Sequence, residues 1–327
     1  MLFGVQMRHL CAYAVGGEGA CAVGGAAVGS CLLLVLAFSS QAMEAASRAA
    51  RVFASGVMPA LLPMMVLCRL LPARPDHERS RRGYAGAVLF SFASGSPASA
   101  QRVCDLWRAG AVAPASLTPL LAACGVMSPM FFTGTLTQWT ELRAGCWALL
   151  LCHWTGALAT AGLVRLASGD LPARRASAAE APQPPARTAA PRPSLPEAVT
   201  GAATSLLAVC GAMMTFAIAA GVLRALVAAL FPGWAAAHGP LLAAAWALME
   251  VGGGAAAVLE AWPRVPMALL CALCSFGGLS IWLQNLLFVP ACVRPAKLLC
   301  VRMLHGALSG GLALLVFTLF PGLTRPF

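Results

Sequence analysis

Charged residues are scarce in this sequence. Asp, Glu, Lys and Arg together make up 10% of the chain, whereas hydrophobic residues make up 60%. Soluble domains carry about 25% charged residues, so this composition cannot build a water-soluble surface. The apolar residues also lie in runs of about 20, which is the length of helix that crosses a hydrocarbon core. The composition excludes a soluble globular enzyme and predicts an all-α polytopic membrane protein.

The sequence also lacks the motifs of intramembrane hydrolysis. It contains no His-Glu-x-x-His, no serine with an evident base and no paired carboxylates. Cys271 and Cys274 form a C-x-x-C, but this lone pair lacks the second pair or the histidines that a zinc site needs. His153 and His305 lie at matched places in two smooth apolar runs, where packing is favoured over catalysis. We therefore expect no enzyme activity, no metal and no cofactor.

The few charges are strongly biased towards cations. Lys and Arg number 22 against 11 for Asp and Glu, which gives a net charge of +11. Nearly all of the cations are Arg between the apolar runs, with clusters at 69–82 and 165–192. Arg in short loops orients a polytopic protein with these loops in the cytoplasm, and this is favoured over nucleic-acid binding. We expect the lipid bilayer as a partner and no nucleic acid.

Nine apolar runs are candidate membrane segments, at 20–38, 52–71, 84–100, 117–136, 144–167, 202–231, 240–259, 266–290 and 298–320. The first loosely imitates a signal peptide, but it is longer than a typical h-region and is predicted to be a retained span. The two cytoplasmic Arg clusters require an even number of crossings between them. Three runs lie there, so at least one is re-entrant. We predict about 8 transmembrane or re-entrant helical segments.

The chain divides into two similar halves. Between them, residues 169–196 form a Pro/Ala/Arg-rich linker. Met64-Met65 corresponds to Met213-Met214 (213 − 64 = 149) and Gly156 corresponds to Gly306 (306 − 156 = 150). We predict an N-terminal span at 1–50, a first repeat at 51–168 and a second repeat at 197–327. Broken helices are expected to meet at the repeat interface.

Four of the runs contain residues that interrupt a helix: Gly95 and Pro97 at 84–100, Ser128 and Pro129 at 117–136, Gly252 to Gly254 at 240–259, and Gly277 and Gly278 at 266–290. Each interruption leaves backbone groups without helical partners, and such groups can bind a solute or an ion. For any one interruption alone, a kink with close packing is the alternative. Ser280 and Gln284 are four residues apart and share one helix face. The predicted substrate or ion path comprises Ser94, Gly95, Pro97, Ser128, Pro129, Glu250, Gly254, Gly277, Gly278, Ser280, Gln284 and Asn285.

Glu250 is the carboxylate most deeply embedded in an apolar run. No charged residue lies between it and Leu241 on one side or Leu259 on the other. An ionised carboxylate there is unfavourable, by about 2.5–3.5 kcal/mol on insertion scales for Asp, so we expect it to face a polar interior. It either binds a coupling proton, a cation or a donor on the solute, or it is a neutral acid with a structural hydrogen bond.

Taken in chain order, the interrupted runs and their neighbouring segments resemble the YlbJ-like sporulation integral membrane proteins, a family that contains the nucleoside-recognition gate domain. The similarity runs from about Val52 to Phe320 without the linker. Its most specific pieces are 53–71 with Pro59 and Pro63, S-G-x-P at 94–97, Cys124 with Ser128-Pro129 and Gly134-Thr135, E-x-x-x-G at 250–254, and 276–280 with Gln284. The chain departs from the family pattern at Ser99, Gly125, Val126, Val251 and Gly252.

The resemblance implies a multi-pass protein of the cell membrane, in the mother-cell or outer forespore membrane, that is required for spore cortex formation. Together with the interrupted repeats, it predicts a transporter or channel-like carrier of an unidentified small solute, coupled to a proton or another cation. The alternative is a non-transporting scaffold that recruits cortex-building enzymes, which uninterrupted spans would favour. The solute, the coupling ion, the direction and the oligomeric state stay open.

Overall fold

The computed structural model describes residues 18–71, 81–167, 193–262 and 264–324, and within these ranges the regular structure is helical. The predicted linker up to residue 192 and residues 72–80 of the Arg cluster at 69–82 lie outside the described residues. The first half contains α1 (Glu18–Ala37), α2 (Ser39–Val52), a π-helical turn (Phe53–Val57), α3 (Met58–Leu70), α4 (Arg81–Ser94), α5 (Ala98–Arg108), α6 (Pro114–Cys124), a second π-helical turn (Phe131–Leu136), α7 (Thr137–Thr140) and α8 (Arg143–Ala167).

The second half contains α9 (Leu195–Leu230), α10 (Pro232–Ala237), α11 (Gly239–Met249), α12 (Val251–Ala261), α13 (Met267–Phe276), α14 (Gly278–Leu286), α15 (Pro295–Leu319) and a 3₁₀ turn (Pro321–Thr324). Helix α9 begins with a capping box, in which Ser194 and Glu197 exchange hydrogen bonds and Pro196 occupies the first turn. The end of the predicted linker, from Leu195 onwards, is therefore helical.

Long apolar helices make the chain compatible with a multi-pass membrane protein. Among the described residues, four helical segments are long and apolar enough to cross a membrane: α8, α9, α13 with α14, and α15. A fifth candidate is Val28–Ala37 with Ser39–Val57, a pair that bends by 92°. The other apolar runs form helices of 10–17 residues. At a rise of about 1.5 Å per residue, most of these are too short to cross alone.

Helices α8 and α15 pack against each other in opposite directions. Gly145 lies beside Phe317 near one end of the pair, Gly156 lies against Ser309, and Val164 packs with Val301 near the other end. A Cβ atom on Gly156 would overlap Ser309, so this close crossing requires glycine. Helix α8 is unbroken, and its outer face is exposed and apolar, with Leu151, Leu158, Leu163 and Leu166.

A second antiparallel pair is formed by α9 and the long helix that runs from α2 through the first π-helical turn into α3. Arg69 Nη2 donates to Ser205 Oγ over 3.0 Å at one end, and Gly221 lies against Ala45 at the other. The predicted boundary between residues 50 and 51 falls inside α2. Residues 39–50 therefore belong to this long helix, and the direction of the chain changes earlier, at Phe38.

The four interrupted runs all contain helix breaks, which confirms that part of the prediction. Helix α4 ends before Gly95, α6 ends at Cys124, α11 ends at Met249 and α13 ends at Phe276. Helices α11 and α12 form a tight hairpin, because a Cβ atom on Gly254 would overlap the backbone of Ala247. Helices α13 and α14 instead continue as one broken span, with Gly277 between them.

The helices that leave the breaks extend to opposite ends of the bundle. Helix α5 runs beside α3, and Arg108 at its end donates to the carbonyl oxygen of Phe288, over 2.8 Å. Helix α12 instead packs against α2 and against α7. Because α7 comes directly before α8, this contact lies at the end of the bundle where α8 begins. The bundle thus has one interrupted pair associated with each of its ends, and the breaks lie between.

Candidate functional site

The breaks in the first half of the chain touch each other. The backbone N–H of Ser96 donates to the carbonyl oxygen of Val126, over 2.6 Å. Gly95 has a φ of 72°, and a Cβ atom there would overlap the backbone nitrogen of Ser128. Since only glycine combines this backbone conformation with this close approach, Gly95 fixes how the break at 94–97 meets the break at 125–130.

The breaks in the second half also touch each other. Gly277 and Gly278 have φ values of 79° and 72°, so the chain between α13 and α14 is left-handed at both positions. A Cβ atom on Gly278 would lie 3.1 Å from the carbonyl oxygens of both Ala247 and Met249, at the end of α11. The break at 277–278 is therefore packed against the tip of the α11/α12 hairpin.

Arg302 of α15 joins the two pairs of breaks. Its side chain is buried, its Nε donates to the carbonyl oxygen of Phe276 over 2.9 Å, and its Nη1 donates to the carbonyl oxygen of Gly125. These oxygens terminate α13 and α6, where helix dipoles place partial negative charge. No carboxylate within the described ranges forms an ion pair with Arg302. The guanidinium instead compensates the carboxyl ends of two half-helices. We call 94–97, 125–130, 249–250 and 277–278, with Arg302, the break cluster.

A buried histidine pair lies beside the break cluster. The backbone N–H of Met127 donates to Nε2 of His153 over 2.8 Å, so Nε2 carries no hydrogen and the ring is neutral. Its Nδ1–H then donates to Ser275 Oγ, over 2.8 Å. His305 donates from Nε2 to the carbonyl oxygen of His153 over 2.9 Å, and the two ring centroids are 4.7 Å apart. The pair ties α8, α13 and α15 to the break at 125–130.

Glu250 occupies the tip of the α11/α12 hairpin, where it is buried. Its two carboxylate oxygens accept from the backbone N–H groups of Gly252 and Gly253, each over 2.7 Å. Glu250 is therefore the N-cap of α12, and its negative charge faces the positive end of the helix dipole. The structural hydrogen bonding that the sequence left open as one alternative is present, but the carboxyl group accepts both hydrogen bonds and donates none, unlike the neutral acid of that alternative.

The polar residues of α14 are buried but separate from Glu250. Gln284 Nε2 donates to Ser280 Oγ over 3.0 Å, which confirms that these side chains share a helix face. No hydrogen bond connects Glu250 with Ser280, Gln284 or Asn285 within the described part of the chain. In the first half, Pro97 precedes α5, Pro129 O accepts from Thr133, and Ser128 Oγ accepts from the N–H of Met130.

Several buried polar atoms in and beside the break cluster have no protein partner. They are Ser94 Oγ, Asn285 Oδ1, Arg302 Nη2, His305 Nδ1 and Ser309 Oγ. Buried polar groups are normally hydrogen-bonded, so these atoms have unused capacity to bind a polar solute or water. No group of three metal-binding side chains occurs among the described residues. Two cavities found in the bundle lie elsewhere, between α2, α9, α11 and α12.

Sequence reasoning missed Arg302 and the histidine contacts. Arg302 lies in the run at 298–320, which is otherwise smooth and apolar, and a buried cation within such a run was the available signal. The sequence indicates matched places for His153 and His305 but no partner for either side chain. Their contact depends on the antiparallel packing of α8 and α15, and no local pattern encodes it.

Compared with known protein families, with curated proteins and with solved structures, the chain matches none. Its fold defines an all-helical bundle with candidate membrane spans, in which interrupted helices meet in a buried polar cluster.

Proposed function

We propose that this chain is a multi-pass membrane protein that carries a small polar solute past the break cluster. The observation that carries the proposal is the contact of all four helix interruptions within one buried polar region. A protein without a translocation path has little need of irregular backbone at membrane depth. In secondary transporters, broken helices at a repeat interface supply the binding groups for solutes and ions.

Opposed helix directions support an inverted repeat. In chain order, each half has a long helix, an interrupted pair, a broken helix and a closing helix of 25 residues. The first long helix runs antiparallel to α9, and α8 runs antiparallel to α15. Repeats of opposite orientation can rock against each other, and this motion exposes a central site alternately to the two sides.

Hairpin length supports a central position for the break cluster. Helices α11 and α12 have 11 residues each. At about 1.5 Å per residue they are about 16 Å long, which is close to half of a hydrocarbon core of about 30 Å. A hairpin that enters from one side therefore places Glu250 near the middle of the membrane.

In this proposal, transport of the solute is coupled to a proton or another cation, and Glu250 is the candidate site for that ion. Arg302 already supplies a positive charge to the carboxyl ends of α6 and α13. In broken-helix transporters such ends coordinate a mobile cation. A coupling ion is therefore not needed at these two carbonyl groups.

The biological setting in the proposal is spore cortex formation, and it comes from the family resemblance. In this proposal the protein lies in the mother-cell or outer forespore membrane. Deleting the gene should leave forespore engulfment intact but prevent the spores from becoming heat-resistant. Heat-resistant spores at the normal yield would contradict the sporulation role and would leave solute transport to be tested separately.

Transport can be tested while the solute is still unidentified. Vesicles that contain the protein are incubated in a small-molecule extract of the source cells, and the contents are compared by mass spectrometry with those of empty vesicles. At least one solute should accumulate in vesicles with the native chain and not with Arg302→Met. Arg294→Met, an exposed arginine just before α15, is the control. Identical contents in all vesicles would contradict transport and favour a scaffold.

A further inference from the structure

A cavity separate from the break cluster lies between α2, α9 and α11. Its volume is about 350 Å³, and its polar lining includes Glu44, Arg48, Arg224 and Trp246. A larger opening of about 620 Å³ adjoins it, since Arg224 and Ala228 line both. Cavities of a few hundred Å³ are large enough for a ligand group.

The polar groups of this cavity are mainly donors. Arg224 forms no hydrogen bond or ion pair within the described part of the chain, and its guanidinium carbon lies 4.8 Å from the centre of the Trp246 ring. Arg48 lies over the same ring, at 5.6 Å, and pairs with Glu44. Trp246 is 5% exposed, and its Nε1–H has no partner. Within the first cavity, two guanidinium groups and one carboxylate leave one positive charge uncompensated, while Glu260 lines only the adjoining opening. The first cavity is therefore suited to an anion.

Apart from Gln41 in the first cavity and Glu260 in the adjoining opening, the remainder of the lining is apolar. Phe38, Ala225 and Ala229 line the first cavity, and Pro232, Leu242 and Ala257 line the second. Leu223, Leu230 and Phe231 are exposed on α9 and just after it, as expected for a surface that faces lipid. Arg224 precedes the end of α9 by six residues (230 − 224), or about 9 Å along the axis. The cations therefore lie within side-chain reach of the depth where lipid headgroups are found.

We propose that this cavity binds the phosphate headgroup of an anionic phospholipid. Arg48, Arg224 and the Trp246 Nε1–H donate to the phosphate oxygens, and an acyl chain lies along the apolar lining. A free phosphate ion would satisfy the donors but would leave the apolar lining unoccupied, so the lipid is the better occupant. Because Trp246 belongs to the hairpin that carries Glu250, the bound lipid contacts an element of the break cluster.

The test measures lipid retention by the full chain, purified in detergent and delipidated. Phosphatidylglycerol is added, with phosphatidylcholine and a glucosyl diacylglycerol as charge-neutral and phosphate-free comparisons, and bound lipid is counted by native mass spectrometry. The native chain should retain phosphatidylglycerol selectively. Arg224→Gln should weaken its binding about tenfold, equivalent to about 1.4 kcal/mol. Arg51→Gln, an exposed arginine of α2 that lines neither cavity, should leave binding unchanged.

Three results would overturn the assignment. Equal retention of phosphatidylglycerol by the native chain, Arg224→Gln and Arg48→Gln would remove the arginines from lipid binding. Equal retention of all three lipids would show that the phosphate charge is not recognised. Stabilisation by inorganic phosphate that added lipid cannot increase would identify a free anion instead. Arg224→Lys keeps the charge and should retain more lipid than Arg224→Gln, which separates loss of binding from misfolding.

Discussion

Arg302 contacts one break from each half of the chain. It donates to the last carbonyl groups of two half-helices and lies beside Gly277. The sequence predicted Gly277 and Gly278 correctly as a break, because adjacent glycines interrupt a helix. It could not predict Arg302 as the partner of that break, because the contact spans 26 residues to Phe276 and 177 residues to Gly125.

Replacing Arg302 with Met should lower thermal stability. Met fills a similar volume but leaves two buried carbonyl groups without donors, and each unsatisfied group is unfavourable by about 1–3 kcal/mol. The unfolding midpoint in detergent, followed by tryptophan fluorescence, should fall relative to that of Arg294→Met. Methylguanidinium should partly restore the midpoint of Arg302→Ala, since it can occupy the vacated position. An unchanged midpoint in Arg302→Met would show that these hydrogen bonds contribute little.

Glu250 has a structural role that a substitution series can separate from ion binding. A Gln side chain directs an NH₂ group towards a backbone N–H, so Glu250→Gln loses part of the cap and should destabilise α12 by about 1 kcal/mol. Glu250→Ser and Glu250→Asp both retain a cap, but only Asp retains a charge. If Glu250 only caps α12, both variants should preserve solute accumulation in vesicles. Accumulation by Asp and not by Ser, at equal thermal stability, would contradict a purely structural role.

At the scale of helices, glycine and proline predicted where the runs are interrupted but not how the pieces pair. Gly252 to Gly254 indicated a break, and the structure places it at Glu250, the first residue that departs from helical geometry. The tight pairing of α11 with α12 depends on Gly254 and Ala247, which are small on both facing surfaces. The first apolar run ends at Phe38, but nothing there indicated a 92° change of direction, since neither glycine nor proline occurs at this position.

Gly254 should be intolerant of even a methyl group. In Gly254→Ala the new Cβ atom overlaps the backbone of Ala247, so the hairpin must open, and overpacking of this kind is unfavourable by about 1–3 kcal/mol. Gly211→Ala in α9 is the matched control, because nothing lies within 4 Å of its added Cβ atom. There the better helix propensity of Ala should stabilise the chain slightly. Equal unfolding midpoints for the two variants would contradict the tight hairpin.

For the whole molecule, the composition predicted an all-helical chain with apolar helices, and the hydropathy pattern predicted the order of segments in each half. It did not predict that the matched long helices run in opposite directions, because hydropathy carries no information on which segments touch. His153 and His305 illustrate this point. They are 152 residues apart (305 − 153), and only the crossing of α8 with α15 brings their rings together.

The most direct test of the account is whether the break cluster can be reached from both sides of the membrane. Ser94 and Ser280 are buried at 1% and 0% exposure, and each is replaced by Cys in a chain without its native cysteines. A membrane-impermeant thiol reagent is then applied to right-side-out and to inside-out vesicles. Gly233→Cys and a restored Cys292 report the two faces, and Leu151→Cys, on the exposed face of α8, reports unwanted labelling from lipid. Alternating access predicts that Ser94→Cys and Ser280→Cys both react from either side, while Gly233→Cys and Cys292 react from opposite sides only. Reaction of both cluster positions from one side alone, or from neither, would contradict it.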